Sequence, residues 1–268
     1  TLAKKEWARF KANDSRSCRN CHSYDAMDYA HQKPAAAKAM QKAAKDGGTC
    51  IDCHKGVAHK LPDLSGGYVA MMRDLKALAV KQGGDAAKSW TLATAPVWAD
   101  GASAGDGGAG DGRILPGAPV TVLERKGDLA KVRVEGWQQE GAERALVAQA
   151  GKRIPLLAVA AELAETAKVT TTKVDPDTDI TWKQASLDVW TSKTNLVGDQ
   201  KALWAYGAEM YESVCGACHS ATSTAHFPAN QWTGIIDDMK TQTALNEEDA
   251  RFLQIYVQNH AQDMAGGH

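Results

Sequence analysis

Hydrophobic positions along the chain follow two different periods, and the change from one to the other marks its organisation. Tyr68, Val69, Met71, Met72, Leu75, Leu78, Ala79 and Val80 recur at helical spacing between Gly66-Gly67 and Gly83-Gly84, which predicts a helix inside residues 65–89. From Trp90 the period falls to two. Residues 90–98, 114–122, 130–134 and 145–149 then read as short strands. Six of the twelve residues 101–112 are glycine, a density no regular element tolerates, so a flexible surface loop is expected there. Residues 154–168 read as a strand followed by a short helix, and Lys168–Val174 as extended, because Thr and Val suit a pleated backbone. Asp175-Pro176-Asp177 is a turn, and Trp182 and Trp190 are expected core aromatics.

Both ends read as helical. Residues 4–12 and 34–45 are Ala- and Lys-rich and predict two helices with few large apolar residues between them. Towards the other end, Gly207 and Tyr211 stand four apart on one helix, and Leu253, Tyr256 and Val257 lie on a last helix opened by the cap sequence Asn246-Glu247-Glu248-Asp249. A glycine on the first of these lets an aromatic of the second approach closely. The paired Met71 and Met72 fit a packed helix face.

Composition bounds the answer without deciding it. With 268 residues and 44% hydrophobic content, the chain has room for two or three ordinary globular domains. Its net charge of −1 predicts no nucleic-acid partner, yet the charge is unevenly spread. Residues 1–62 hold twelve Lys and Arg against six Asp and Glu, whereas residues 197–268 hold three against nine. No apolar run is long enough to span a membrane.

The six cysteines change the picture most. They fall into Cys18-Arg19-Asn20-Cys21-His22, Cys50-Ile51-Asp52-Cys53-His54 and Cys215-Gly216-Ala217-Cys218-His219, with none left over. This is the spacing of c-type haem attachment: two thiols add to the two vinyl groups of one macrocycle, and the adjacent imidazole ligates the iron. A zinc ribbon or a disulfide framework could use paired cysteines too, but neither needs a histidine directly after the second one. Three covalent haem c groups are therefore expected, with Cys18, Cys21, Cys50, Cys53, Cys215 and Cys218 as attachment points and His22, His54 and His219 as proximal ligands. With so few large apolar residues in the first stretch, its core is expected to be largely porphyrin. Its basic residues serve as solvated surface and as partners for haem propionates.

Further axial ligands are open to choice. His59 lies five residues after His54, past a glycine, and is placed to reach a different iron. His31 could ligate as well, with exposed surface the blander alternative. For the third haem, Met239 offers a thioether and His226 an imidazole, and Met239 is favoured. His260 and His268 are expected at the surface. Covalent haem is attached outside the cytoplasmic membrane in bacteria, so an export signal is expected to have preceded Thr1.

Glu6-Trp7, residues 11–15, the first attachment motif, Met27-Asp28 and residues 50–62 resemble the second half of the tetrahaem module of the NapC/NirT family, membrane-anchored cytochromes that pass electrons from quinol to periplasmic reductases. The resemblance implies that His59 is the distal ligand of a haem encoded upstream, and that distal ligands for the haems of His22 and His54 come mostly from the first half of that module. Residues 115–123, 127–134 and Gly136-Trp137 resemble bacterial SH3-like barrels, a binding or spacing module. The glycine and aromatic on the last helices resemble the helix crossing of class I cytochromes c. The predicted fold is thus mixed: an α-helical multihaem module (1–64), a connecting helix (65–89), an SH3-like β-barrel insert (90–160), a linker or extended segment (161–196) and an α-helical class I-like monohaem domain (197–268). This combination resembles the TorC-type pentahaem cytochromes. It implies a non-enzymatic periplasmic electron carrier of anaerobic respiration, linking quinol-side haems near a membrane anchor to a molybdenum reductase of trimethylamine N-oxide or dimethyl sulfoxide.

Two other classes stay open on the sequence. One is a multihaem reductase or peroxidase with an open iron site; the other is a docking or scaffold subunit acting through residues 90–160. No catalytic constellation stands out in that insert, and its glycines lack the strand–loop–helix setting of a phosphate cradle.

Overall fold

A computed structural model describes residues 2–20, 22–54, 67–106, 110–216, 221–241, 243 and 245–264. The chain divides into two compact units, Thr1–Asp63 and Leu64–His268.

The first unit is built from α1 (Leu2–Ala12), α2 (Arg16–Arg19), α3 (Pro34–Lys45) and α4 (Cys50–Cys53), with 3₁₀ turns at Tyr24–Ala26 and Tyr29–His31. Helix α3 runs as its composition predicts: Pro34 sits at the first turn, where no amide partner is needed, and Lys42 and Lys45 occupy the last turn, where cations suit the helix dipole. Among the described residues of this unit only Ser15 is buried; Trp7, Phe10 and Met40 are half-exposed.

The second unit opens with α5 (Tyr68–Gln82), which ends where Gly83 meets the Lys193 carbonyl so closely that a Cβ would lie 2.0 Å from its oxygen. Strands β1 (Lys88–Thr91), β2 (Ala95–Val97), β3 (Gly112–Ile114), β4 (Pro119–Lys126), β5 (Leu129–Gln139), β6 (Ala145–Val147) and β7 (Pro155–Val159) follow. A short helix α6 (Ala161–Ala164) leads to β8 (Lys168–Val174), β9 (Thr181–Ser192) and β10 (Leu196–Val197). Helices α7 (Gln200–Cys215), α8 (Ala229–Lys240) and α9 (Glu247–Asn259) complete the unit.

The strands form one antiparallel sheet in the order β10-β1-β4-β5-β6-β7-β3-β2, with β9 on the remaining edge of β5 and β8 outside β9. Strand β5 is its spine, since β4 and β6 share one edge while β9 pairs with its whole length from Leu129↔Ser192 to Gln139↔Trp182. The sheet curls until Trp98, just past β2, exchanges amide and carbonyl bonds with Trp190 of β9 at 3.0 and 2.8 Å. Ala130, Val132 and Val134, alternate residues of β5, meet Leu157, Leu187 and Val189 inside the curl, all out of contact with water.

Residues 161–196, expected as a linker or extended segment, thus contribute two long paired strands to this sheet. The period-two signal of β9 is broken by the consecutive buried residues Val189, Trp190 and Thr191, because Trp190 serves the contact with Trp98 while its neighbours serve the sheet core. The glycine-rich stretch holds a 3₁₀ turn at Ser103–Asp106, fixed by Asp100, which accepts hydrogen bonds from the Ala102 and Ser103 amides at 2.8 and 2.9 Å.

Helix α5 is more than a connector. Its buried Tyr68, Leu75 and Ala79 share a core with Leu203, Tyr206 and Met210 of α7, Trp232 and Ile236 of α8, and Phe252, Leu253, Tyr256 and Val257 of α9. Trp90, Leu92, Ile154 and Val197 bring the sheet into the same core. Gln258, fully buried, donates to the Arg153 and Ala229 carbonyls at 3.0 and 3.1 Å, so the sheet-side loop and two helices are tied through one amide.

Candidate haem-binding sites

The first two attachment motifs fold alike. In α2 and its exit the His22 amide donates to the Cys18 carbonyl at 2.9 Å, and after α4 the His54 amide donates to the Cys50 carbonyl at the same distance. Each motif is therefore a helical turn, in which positions i, i+3 and i+4 share one face. In the second motif, where both cysteines are described, this spacing is the one haem attachment asks for. Cys18 and Cys50 are half-buried, Cys53, His22 and His54 are exposed, and Cys21 lies outside the described residues. The donor set and its backbone thus fit a c-type haem. Among the described residues no three His, Cys, Asp or Glu side chains converge as a metal site of another kind.

The two turns are neighbours. Burial pushes the Cys50 thiol above its ordinary value, and the nearby Cys18 pushes it further in the same direction. Asp52, between the second pair of cysteines, accepts from Thr49 through both its amide and its hydroxyl, at 3.1 and 2.8 Å, and pairs with Lys11 at 2.8 Å. Those partners, Lys11 first, hold the Asp52 carboxyl down to about 2. Ser15 Oγ accepts from the Ile51 amide at 3.1 Å, and Tyr24 donates to the Gly48 carbonyl at 3.0 Å. The sequence reading assigned none of these contacts. Thr49 and Asp52 carry the spacing of a capping box and could have been found; Ser15 gave no signal.

The His31 ring nitrogen is 2.6 Å from Asp28, and its side chain is 85% exposed. His59, His219, Cys218 and His268 lie outside the described residues.

The third motif begins at the last turn of α7, where Cys215 is half-buried and the Gly216 amide donates to the Glu212 carbonyl at 3.0 Å. A ring of aromatics stands beside it. Tyr211 donates to the Thr222 carbonyl at 2.6 Å, and burial, with Cys215 adding to it, pushes its hydroxyl up to about 12. Trp232 packs edge-on to Tyr211 and to Phe227, and donates to the Thr224 carbonyl at 2.9 Å. The expected close approach is present at Gly207, where a Cβ would sit 2.4 Å from the Tyr256 ring.

Neither candidate sixth ligand is buried. Met239 is 43% exposed on α8, and His226 is exposed with its ring stacked edge-on to Phe227. His260, expected at the surface, is instead half-buried, its ring 4.4 Å from that of Tyr256 and 5.5 Å from that of Trp204. It lies one helical turn past Tyr256, on the side of α9 that faces α7, which is why it turns inward.

Comparison with known proteins gives these sites their context. Residues 1–64 match the family model of the NapC/NirT cytochrome c family, N-terminal region; residues 84–196 match the TorC third cytochrome c domain; residues 211–267 match the dihaem cytochrome c family. The cytochrome c-type protein TorC of Escherichia coli (strain K12) is 40% identical over 266 residues, covering 99% of this chain and 66% of its own length. The cytochrome c-type protein TorY of Haemophilus influenzae is 36% identical over 264 residues, covering 98% of this chain and 69% of its own. The chain belongs to the TorC/TorY-type multihaem c-type cytochromes. It spans about two thirds of the length of these TorC and TorY relatives.

As a member of this family the chain is a cytochrome that holds haem c covalently, and its proteins are named as cytochromes rather than as catalysts. The cytochrome c-type protein NapC of Escherichia coli (strain K12) is 59% identical over 64 residues, 24% of this chain and 32% of its own length, which is the region of the first two motifs. In this TorC/TorY-type chain the stretch matching the TorC third domain is the curled sheet, and it contains no cysteine. No solved structure matches the chain. No helix among the described residues is long and apolar enough to cross a membrane.

Proposed function

We propose that the chain relays single electrons on three covalently attached haem c groups, between quinol-side haems at the membrane and a periplasmic molybdenum reductase of trimethylamine N-oxide or dimethyl sulfoxide. The observation that supports this reading most is the pair of like-built turns at residues 18–22 and 50–54, side by side in a unit whose described residues bury Ser15 alone. Haem, when bound, supplies an iron that cycles between ferrous and ferric states.

The chain's own residues hold and tune it. Cys18 with Cys21, Cys50 with Cys53 and Cys215 with Cys218 fix the three macrocycles, and His22, His54 and His219 ligate from the proximal side. His59 acts as a further axial ligand to a haem encoded upstream, residues 1–64 corresponding to the second half of a tetrahaem module. At the third haem Met239 is favoured over His226; a thioether raises the potential and an imidazole lowers it. Residues 90–160 form the SH3-like spacer and residues 197–268 the class I-like monohaem domain. The acidic charge of that last stretch suits docking on a basic patch of the reductase.

The test is direct. Purified chain should give three haems per polypeptide by pyridine haemochrome analysis and a reversible redox titration. Colourless protein, or zinc in place of iron, would sink the reading. Catalytic turnover of nitrite or peroxide would move it towards an enzyme.

A further inference from the structure

Ser15 stands out in the first unit. It is the one buried residue among those described there, and its backbone is left-handed, with φ 49° and ψ 40°. Asp14 before it is also left-handed, at φ 55°. For residues other than glycine that conformation is costly and persists only where the surroundings demand it.

The surroundings do. Ser15 occupies the N-cap of α2, the turn carrying Cys18, and its carbonyl accepts from the Cys18 and Arg19 amides at 2.8 and 3.1 Å. A serine in that place ordinarily spends its hydroxyl on an amide of its own helix. Here it makes no such bond. The hydroxyl instead accepts from the amide of Ile51, 36 residues on, between the two cysteines of the second motif. Ile51 is in the first turn of α4, where amides have no partner within the helix, so Ser15 caps a helix other than its own.

Among the described residues, two other ties are more exposed or reach less far. Lys11 and Asp52 are 66% and 35% exposed and therefore screened, and Tyr24 reaches only to Gly48, ahead of the second turn. The Ser15 bond is part-buried, and it joins the backbone opening one motif to the backbone inside the other.

We propose that Ser15 is a positioning residue that fixes the attachment turns of residues 18–22 and 50–54 against each other, and with them the electronic coupling of the two haems they hold. This rests on the haem reading above. Removing the hydroxyl frees the Ile51 amide and lets the second turn shift relative to the first.

The experiment uses the full haem-loaded chain with Ser15→Ala and Ser15→Gly. Glycine adopts the left-handed backbone without strain, so the two variants share the lost hydroxyl but differ in strain. Three signals are read: haem per chain, the midpoint potentials, and the coupled Soret bands in circular dichroism. In both variants the two haems of the first unit should show displaced midpoints and an altered Soret couplet, while the third haem, in the second unit, stays at its wild-type midpoint and serves as the internal standard. Loss of haem from the second motif alone would also support the tie.

Unchanged midpoints and couplet in both variants overturn the proposal, as does a change in Ser15→Ala that Ser15→Gly restores, since strain alone would then explain it. Loss of haem from both motifs in Ser15→Gly shows a general folding role and overturns it too. Wild-type protein without haem would instead overturn the haem reading, and this inference along with it.

Discussion

In Leu64–His268 the side chains of Trp232, Tyr206, Phe252 and Met210 are almost wholly withdrawn from water, whereas the described residues of Thr1–Asp63 bury a single serine. The second unit can stand on its own side chains. Each buried Leu, Val or Phe contributes about 1.5–3 kcal/mol of apolar transfer, and the two clusters hold many of them. The first unit has hydrogen-bonded turns, caps and surface ion pairs, which are individually worth about 1 kcal/mol or less. On the proposed reading, a macrocycle held by Cys18, Cys50 and their partners brings the apolar surface that these helices can be folded around. On that reading one chain combines a part whose cohesion is encoded in side chains with a part whose cohesion comes with its cofactor.

The harshest way to break that contrast is to replace Cys18, Cys21, Cys50 and Cys53 together by alanine in the full chain. The expected outcome is a lysine- and arginine-rich first unit cut rapidly by trypsin, beside a second unit that resists and melts cooperatively. Equal protection of both units would show that the first folds without attached haem. Next in size come changes inside the helical core of the second unit. Leu75→Ala should cost about 2–5 kcal/mol, and Gly207→Ala about 1–3 kcal/mol because its new methyl meets the Tyr256 ring. Denaturant melts of the second unit measure both, and the spectra of the first two haems should not respond.

These variants also separate what the sequence made legible from what it did not. Helix α3 could be bounded to the residue, because Pro34 marks its start and the run of alanine and lysine stops at Asp46-Gly47. Gly207 and Tyr256 were readable as a contact, since glycine at helical spacing from a buried aromatic has few other uses. The partners of α5 were not readable: its apolar stripe says that it packs, and nothing local says that α7 and α9 cover it across the whole sheet. Strand β9 hid for a related reason, its alternation being interrupted by Trp190. The attachment turns were plain from cysteine and histidine spacing. Ser15 was invisible because its use depends on a left-handed backbone that no neighbouring residue announces.

The smallest expected effect sharpens the picture within the sheet. Asp188 on β9 takes two hydrogen bonds from Arg133 on β5, at 2.7 and 2.9 Å. The guanidinium holds the Asp188 carboxyl below its ordinary value of 3.8. A carboxyl with a lowered folded value stabilises fully above its unfolded value, and that contribution fades as pH falls through the folded one. Asp188→Asn should therefore cost the second unit less than either core variant, and the cost should shrink in acid. A pH series of melts would show a gap between wild type and variant that closes below 3.8; a gap that stays constant would assign the bond no ionic part.

The packing of α5 also bears on the order in which the protein matures. In chain order this helix precedes all its partners, so Tyr68, Leu75 and Ala79 stay uncovered until α7 and α9 have followed the entire sheet. The first two attachment turns, by contrast, are complete by residue 54. On the proposed haem reading, loading at the front of the chain can finish while its rear is still open, and the third motif, at the end of α7, is the last to acquire its scaffold.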